Sequence, residues 1–251
     1  MSGHSKWATI KRKKGATDAK RGQVFTRLSR EIVMAAREGG SDLEGNFRLR
    51  LAVDKAKSQN MPKDVIERAI KRGTGELKEG VIEEAFYEGY APHGVALMIQ
   101  TLSENRNRTV AELRHLLSRS GGSLGESGSV AWQFKNVAYF EVDHSGQEFD
   151  HIFELAVEGG ADDVVEDEDT IEVIGPAENF KIISDLLRGS GVKLQEASLR
   201  MIPNQEMELD IEQTLQVLRT VENIEELDDV QNVYHNLHIS DEAMEALEAE
   251  E

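Results

Sequence analysis

Between residues 137 and 202 the hydrophobic period switches in a fixed order, and that order restricts the possible folds more than any other feature of the chain. VAYFEV at 137–142 has the apolar, β-branched and aromatic character of a strand. Residues 147–158 place Phe149, Ile152, Phe153 and Ala156 at helical spacing. DDVVEDEDTIEVIG folds back as two strands around an acidic tip, and PAENFKIISDLLRGSG reads as a helix with Pro176 near its start and Gly189 at its end. LQEASLRMI is the last strand. The order β-α-β-β-α-β is that of a ferredoxin-like unit, a helix pair packed on one antiparallel sheet.

The flanking segments follow different patterns. Asp18 can cap a helix carrying Phe25, Leu28, Ile32 and Ala36, which Gly39 and Gly40 end. Asn46 can start a second helix with Leu49, Val53 and Ala56 on one face, and Pro62 suits the first turn of a third with Ile66, Ala69 and Ile70. Strands at 82–90 and 94–102 meet at the turn Ala91-Pro92-His93-Gly94. A helix at 107–119 turns Val110, Leu113, Leu116 and Leu117 inward, and a further strand runs through Val130, Trp132 and Phe134. After Pro203 come a short strand-like piece, a helix at 211–224 and a final strand, DVQNVYHNL. Residues 81–134 lack a second helix of their own, so this C-terminal piece is expected to complete their domain.

The expected class is therefore α+β in three domains. Residues 1–78 form a basic arm and an N-terminal three-helix domain. Residues 79–135 with 204–240 form a middle α/β domain, and 136–203 are the inserted ferredoxin-like domain. Residues 241–251 are expected to be a frayed acidic tail.

Charge divides along the same line. Residues 1–78 hold 19 Lys/Arg against 9 Asp/Glu, a balance of +10, while the remainder holds 10 against 38, a balance of −28. Such asymmetry suggests a polyanion-binding module joined to an acidic body, which would repel nucleic acid over about a Debye length of ~10 Å. Contact is then confined to the basic end. Lys6, Lys11, Arg12, Lys13, Lys14, Lys20 and Arg21 can neutralise phosphates, and Trp7 can stack on a base or ribose. Arg27, Arg30, Arg37, Arg48 and Arg50 can extend the surface along the helices. The competing reading is a solvated charged face with Trp7 in the core. No groove-reading helix motif is visible, so base specificity cannot be argued.

Other candidates are weaker. Arg106 and Arg108, at the start of the 107–119 helix that Asn107 or Thr109 can cap, offer a second anion contact or pair with nearby glutamates. GGSLGESGS at 121–129 lacks the Gly-Lys-Ser/Thr of a phosphate loop and the nucleophile elbow around Ser127, and so reads as a shaped turn whose amides can still meet a partner. The acids at 162–169 lack EF-hand spacing and read as an exposed hairpin fit for a basic partner such as a ribosomal protein. His235 and His238 have no companions that would make a zinc site. No catalytic set, metal site, cofactor or small-molecule substrate is indicated, and the chain reads as a non-enzyme. It has no cysteine and no apolar run near the ~20 residues of a membrane span, which fits a cytoplasmic protein without membrane contact.

Several long blocks carry a resemblance: GHSKWATIKRKKGATDAKRGQVFTRLSREI, NMPKDVIERAI, YEGYAPHGVALMIQTLSENRNRT and GGSLGESGSVAWQF. In order and content they resemble the YebC family, which also includes the mitochondrial translational activator of cytochrome oxidase subunit one. The resemblance covers nearly the whole chain. It departs from the family's pattern at Leu43, where a proline is common, and at Ala91 and His93, where glycines are common. It implies a helical domain and two α/β domains, one inserted in the other. Family members are widely labelled probable transcriptional regulators and some bind promoter DNA. Others act in translation and are associated with ribosomes stalled on proline-rich stretches. The contact region carried over is Lys6, Trp7, Lys11, Lys13, Lys14, Lys20 and Arg21. The expected function is a DNA-binding regulator, with a ribosome-associated factor docking on ribosomal RNA as the alternative.

Overall fold

The computed structural model describes residues 18–77, 80–167 and 170–249. Among them, eight α-helices and two four-stranded antiparallel sheets make an α+β structure. The first three helices are α1 (Asp18–Gly39), α2 (Phe47–Ser58) and α3 (Lys63–Gly73). Asn46 joins the first two. Its Oδ1 accepts from the Leu49 amide at 3.0 Å, while its Nδ2 donates to Ala35 O at 2.7 Å and Gly40 O at 2.8 Å. One buried side chain thus satisfies open groups at both helix ends. Gly40 has φ +80°, and a Cβ on Gly73 would lie 2.5 Å from Val33 O, so both positions need glycine. Pro62 stands one position earlier than its expected place and caps α3 instead of opening it. Leu28, Ile32, Val33, Leu49, Val53 and Ile66 fill the core, together with Ile82 and Leu102 from the next unit.

The first sheet is built from β1 (Glu83–Tyr90), β2 (Ala96–Ser103), β3 (Ser123–Leu124) and β8 (Val230–His235), in the order β3-β1-β2-β8. Between β1 and β2, His93 sits at φ 64°, and its Nε2 lies 2.8 Å from Gln216 Oε1. Helices α4 (Arg106–Ser120) and α7 (Ile211–Glu225) bury Leu113, Leu117, Leu215, Leu218 and Val221 with Leu97 and Ile99 of β2.

The acidic end is not frayed up to residue 249. Asp241–Ala249 form a helix, α8, whose first turn is held by Ser240 Oγ accepting from the Ala243 amide at 3.2 Å. Its acids Asp241, Glu242 and Glu245 face solvent or the boundary, while Ala243, Met244 and Leu247 bury at helical spacing. Net charge hid an amphipathic pattern.

The second sheet contains β4 (Phe134–Asp143), β5 (Asp163–Glu166), β6 (Thr170–Pro176) and β7 (Leu194–Pro203) in the order β5-β6-β4-β7. This is the strand order of a ferredoxin-like sheet. Helices α5 (Phe149–Glu158) and α6 (Phe180–Gly189) cover one face through Ile152, Leu155, Ile183 and Leu187 against Phe140, Val142, Ile171 and Val173. On the other face Tyr139 Oη donates to Glu172 Oε1 at 2.9 Å, and Arg200 lies 3.6 Å from the Tyr139 ring while pairing with Glu196 at 2.8 Å. Burial raises the Glu196 carboxyl, but Arg200 outweighs it and pulls the group down to about 2. The strand expected through Val130, Trp132 and Phe134 is instead a 3-10 turn at Ala131–Gln133, and β4 begins only at Phe134.

Leu247→Ala should lower unfolding free energy by roughly 2–5 kcal/mol in urea titration, the usual result of emptying a buried leucine site. A frayed tail would leave the midpoint unchanged.

Candidate nucleic-acid interface

Of the expected contact residues, Lys6, Trp7, Lys11, Arg12, Lys13 and Lys14 lie outside the described residues. Lys20 and Arg21 belong to the first turns of α1, so that helix is the mount on which the basic segment is carried. Near its start, Gln23 Nε2 donates to Glu226 O at 3.1 Å. Two turns further, Arg30 donates to Asp228 O and pairs with Asp229 Oδ1 at 2.9 Å. The basic helix is thereby fastened to the loop between α7 and β8, in the acidic part of the chain.

Asp229 is the centre of this junction and is 1% exposed. Its Oδ2 accepts from Thr109 Oγ1 at 2.7 Å, Ser103 Oγ at 2.8 Å and Arg108 Nη2 at 2.8 Å. Arg108 Nη2 also reaches Oδ1 at 3.0 Å. Burial pushes the carboxyl upward, but the bonds from Arg108, Thr109 and Ser103 and the charge of Arg30 outweigh it and hold the group below its ordinary value.

The arginines expected to extend a phosphate-binding surface mostly serve internal contacts instead. Besides Arg30, Arg37 donates to Ile82 O, and Arg50 donates to Leu43 O at 2.9 Å and Glu44 O at 2.8 Å. Arg48 pairs with Glu38 at 2.6 Å. Burial lowers the Arg27 guanidinium, with Arg30 acting in the same direction and Asp228 opposing. The physical reason is the guanidinium fork, which satisfies several carbonyls and carboxylates at once where helices meet another unit. Lys55, Lys57, Lys63, Arg68 and Lys71 on α2 and α3 are the exposed cations here. Pattern alone did not single them out.

Arg106 and Arg108 both have acidic partners within the chain. Arg106 lies 3.8 Å from Glu83, and Arg108 is engaged by Asp229, which raises its affinity for the proton. The helix they open is capped by Asn105, whose Oδ1 accepts from the Arg108 amide at 3.2 Å, and not by Asn107 or Thr109. Thr109 turns inward to Asp229.

The glycine-rich segment also has an internal partner. Glu88 Oε1 accepts from the Gly128 amide at 2.6 Å, and Oε2 from the amides of Val130 and Ala131 at 2.7 and 2.8 Å. Burial raises this carboxyl and the three amides more than compensate, so it lies below its ordinary value. The backbone nest holds the chain's own glutamate. In the acidic hairpin region, Asp162 pairs with Lys135 at 2.9 Å and Glu166 with His144 at 3.1 Å. His238 Nδ1 lies 2.7 Å from Glu206.

Comparison with known proteins decides the affiliation. A family model described as the TACO1/YebC N-terminal domain matches residues 5–76, and one for the TACO1/YebC second and third domain matches residues 82–237. The chain belongs to the TACO1/YebC family. A relative from Syntrophus aciditrophicus is 50% identical over 99% of this chain and 100% of its own length. Another from Desulfosudis oleivorans is 49% identical over 87% of this chain and 89% of the relative. Both carry the name probable transcriptional regulatory protein. The crystal structure of a conserved hypothetical protein from Aquifex aeolicus superposes with a TM-score of 0.82 at 41% identity, covering 89% of this chain and 93% of that one. The family name thus agrees with the resemblance seen in the sequence blocks. Among the described residues, no helix is long and apolar enough to cross a membrane.

Asp229→Ala removes the carboxylate that Arg30, Arg108, Thr109 and Ser103 share and should destabilise the fold by roughly 1–3 kcal/mol. Because the folded carboxyl titrates below its unfolded value of about 3.9, its contribution is full above that pH and fades as pH falls through the lower folded value. Urea titrations between pH 7 and pH 2 should show this loss in the natural protein and a shallower decline in Asp229→Ala.

Proposed function

We propose that this chain is a non-enzymatic, nucleic-acid-binding regulator of gene expression that touches its target through the basic segment carried by α1. The observation that supports this is the charge division, +10 over residues 1–78 against −28 over the remainder. It makes one end attractive to a polyanion and the rest repulsive. Lys6, Trp7, Lys11, Arg12, Lys13, Lys14, Lys20 and Arg21 are the proposed contacts. Their role gains weight from the fate of the helix arginines, which bind Asp229, Ile82 and loop carbonyls instead of facing outward. Arg106 is at most an accessory contact, and Arg108 is committed to Asp229.

The reading includes a three-part organisation, with a helical unit at 1–78, a middle unit at 79–135 with 204–240, and an inserted unit at 136–203. DNA is the proposed target, following the name of the relatives, and the cytoplasm the proposed location. A second reading, ribosomal RNA as target with an acidic face toward a basic ribosomal protein, draws on the −28 balance, which disfavours a long duplex.

Replacing Lys11, Arg12, Lys13 and Lys14 together with alanine should weaken DNA binding and reduce the slope of log K against log salt by about three to four, with thermal unfolding unchanged. An unaltered slope contradicts the reading. Sedimentation of cell lysate with and without RNase separates the two targets. Comigration with ribosomes that RNase abolishes favours RNA, and a free protein that footprints a promoter favours DNA.

A further inference from the structure

We propose that Trp132 is a stacking platform for an unpaired nucleobase, a second contact that rests on the nucleic-acid reading and adds to the basic segment. Its side chain is 71% exposed, the highest value among the large apolar residues described as exposed. An exposed indole is ordinarily loose, yet this one stands on a fixed mount. The amides of Val130 and Ala131 are bound to Glu88, Val130 is fully buried, and Phe134 is 8% exposed. Trp132 O accepts from Asn204 Nδ2 at 2.9 Å, and Gln133 O from the Asn204 amide at 2.7 Å. The indole N–H itself donates to Ser129 O at 3.1 Å. That bond satisfies the ring's one polar group, so what remains to offer is a π surface held in place, with little rotamer freedom left to lose on binding.

The surroundings favour a base over a protein. A protein hot spot sits in a contiguous apolar patch with a polar rim. None of the other exposed large apolar residues belongs to segments 121–136 or 203–205 that build this site. The exposed neighbours in sequence and space include Ser127, Gly128, Lys135, Asn136 and Asn204, small or polar groups able to meet base edges and sugar hydroxyls. Residues 119–136 carry Arg119, Lys135 and Glu126, and Lys135 is paired with Asp162. The Glu88 carboxylate beneath the loop is buried and held by three amides. Stacking is tolerant of base identity, so one platform would favour single strands or melted sites without reading a sequence.

The test uses the full chain labelled with 5-fluorotryptophan. Its two tryptophans give two 19F resonances, assigned with Trp132→Phe. Oligo(dT) should shift the Trp132 resonance, while a duplex of equal length should not. Trp132→Ala should weaken oligo(dT) binding by about tenfold, leave duplex binding as it was, and leave the salt slope unchanged because no charge is lost. Trp132→Phe should recover much of the affinity. Thermal unfolding of both variants should match the natural protein, since the ring is exposed. If the natural protein binds neither probe, the proposed function fails together with this inference. If it binds and the arm variant does not, yet oligo(dT) leaves the resonance unmoved and Trp132→Ala binds normally, the base platform alone is overturned and protein docking becomes the role to pursue.

Discussion

A buried carboxylate holds the three-helix unit, a strand, a helix and a loop in one arrangement. Asp229 receives Arg30 from α1, Ser103 from the end of β2, and Thr109 and Arg108 from α4. An unpaired charge at 1% exposure would cost several kcal/mol, so the fold is committed to supplying these donors together. The donors come from three stretches of chain, α1, the end of β2 and the start of α4. The position of α1 against the acidic body follows from this commitment, with Gln23 adding a second tie to Glu226.

That geometry gives the charge division a mechanical sense. Helix α1 is fastened to the acidic body through Gln23 and Arg30, while Lys55, Lys57, Lys63, Arg68 and Lys71 are exposed on α2 and α3. Two other acidic groups are handled in the same manner: Glu88 by three amides and Glu196 by Arg200. Carboxylates with fixed internal partners shape the body, whose 38 acids against 10 bases give the −28 balance.

Features governed by local chemistry were legible in the sequence. Asn46 caps α2 as expected because capping needs only the next three residues, and the strand and helix order of 137–202 follows from its periodicity. Features governed by distant partners were not. V-A-W-Q-F alternates like a strand, yet Glu88 of β1 takes the amides of Val130 and Ala131 and the segment forms a turn. Arg30 and Arg108 look like surface cations until Asp229 is brought to them by β8 pairing with β2. The C-terminal acids masked the spacing of Ala243, Met244 and Leu247, a signal that was present and outweighed by composition. The expected contacts before Asp18 lie outside the described residues, so their part in the site rests on charge and resemblance.

The most direct measurement of the central claim is crosslinking of the protein to nucleic acid in living cells, followed by mass-spectrometric mapping of the crosslinked peptides. The account predicts that crosslinks concentrate in residues 6–21, with Trp132 the one site in the acidic body, and the attached nucleotides identify DNA or RNA. Crosslinks spread over the acidic surface, with residues 6–21 free of them, would contradict it.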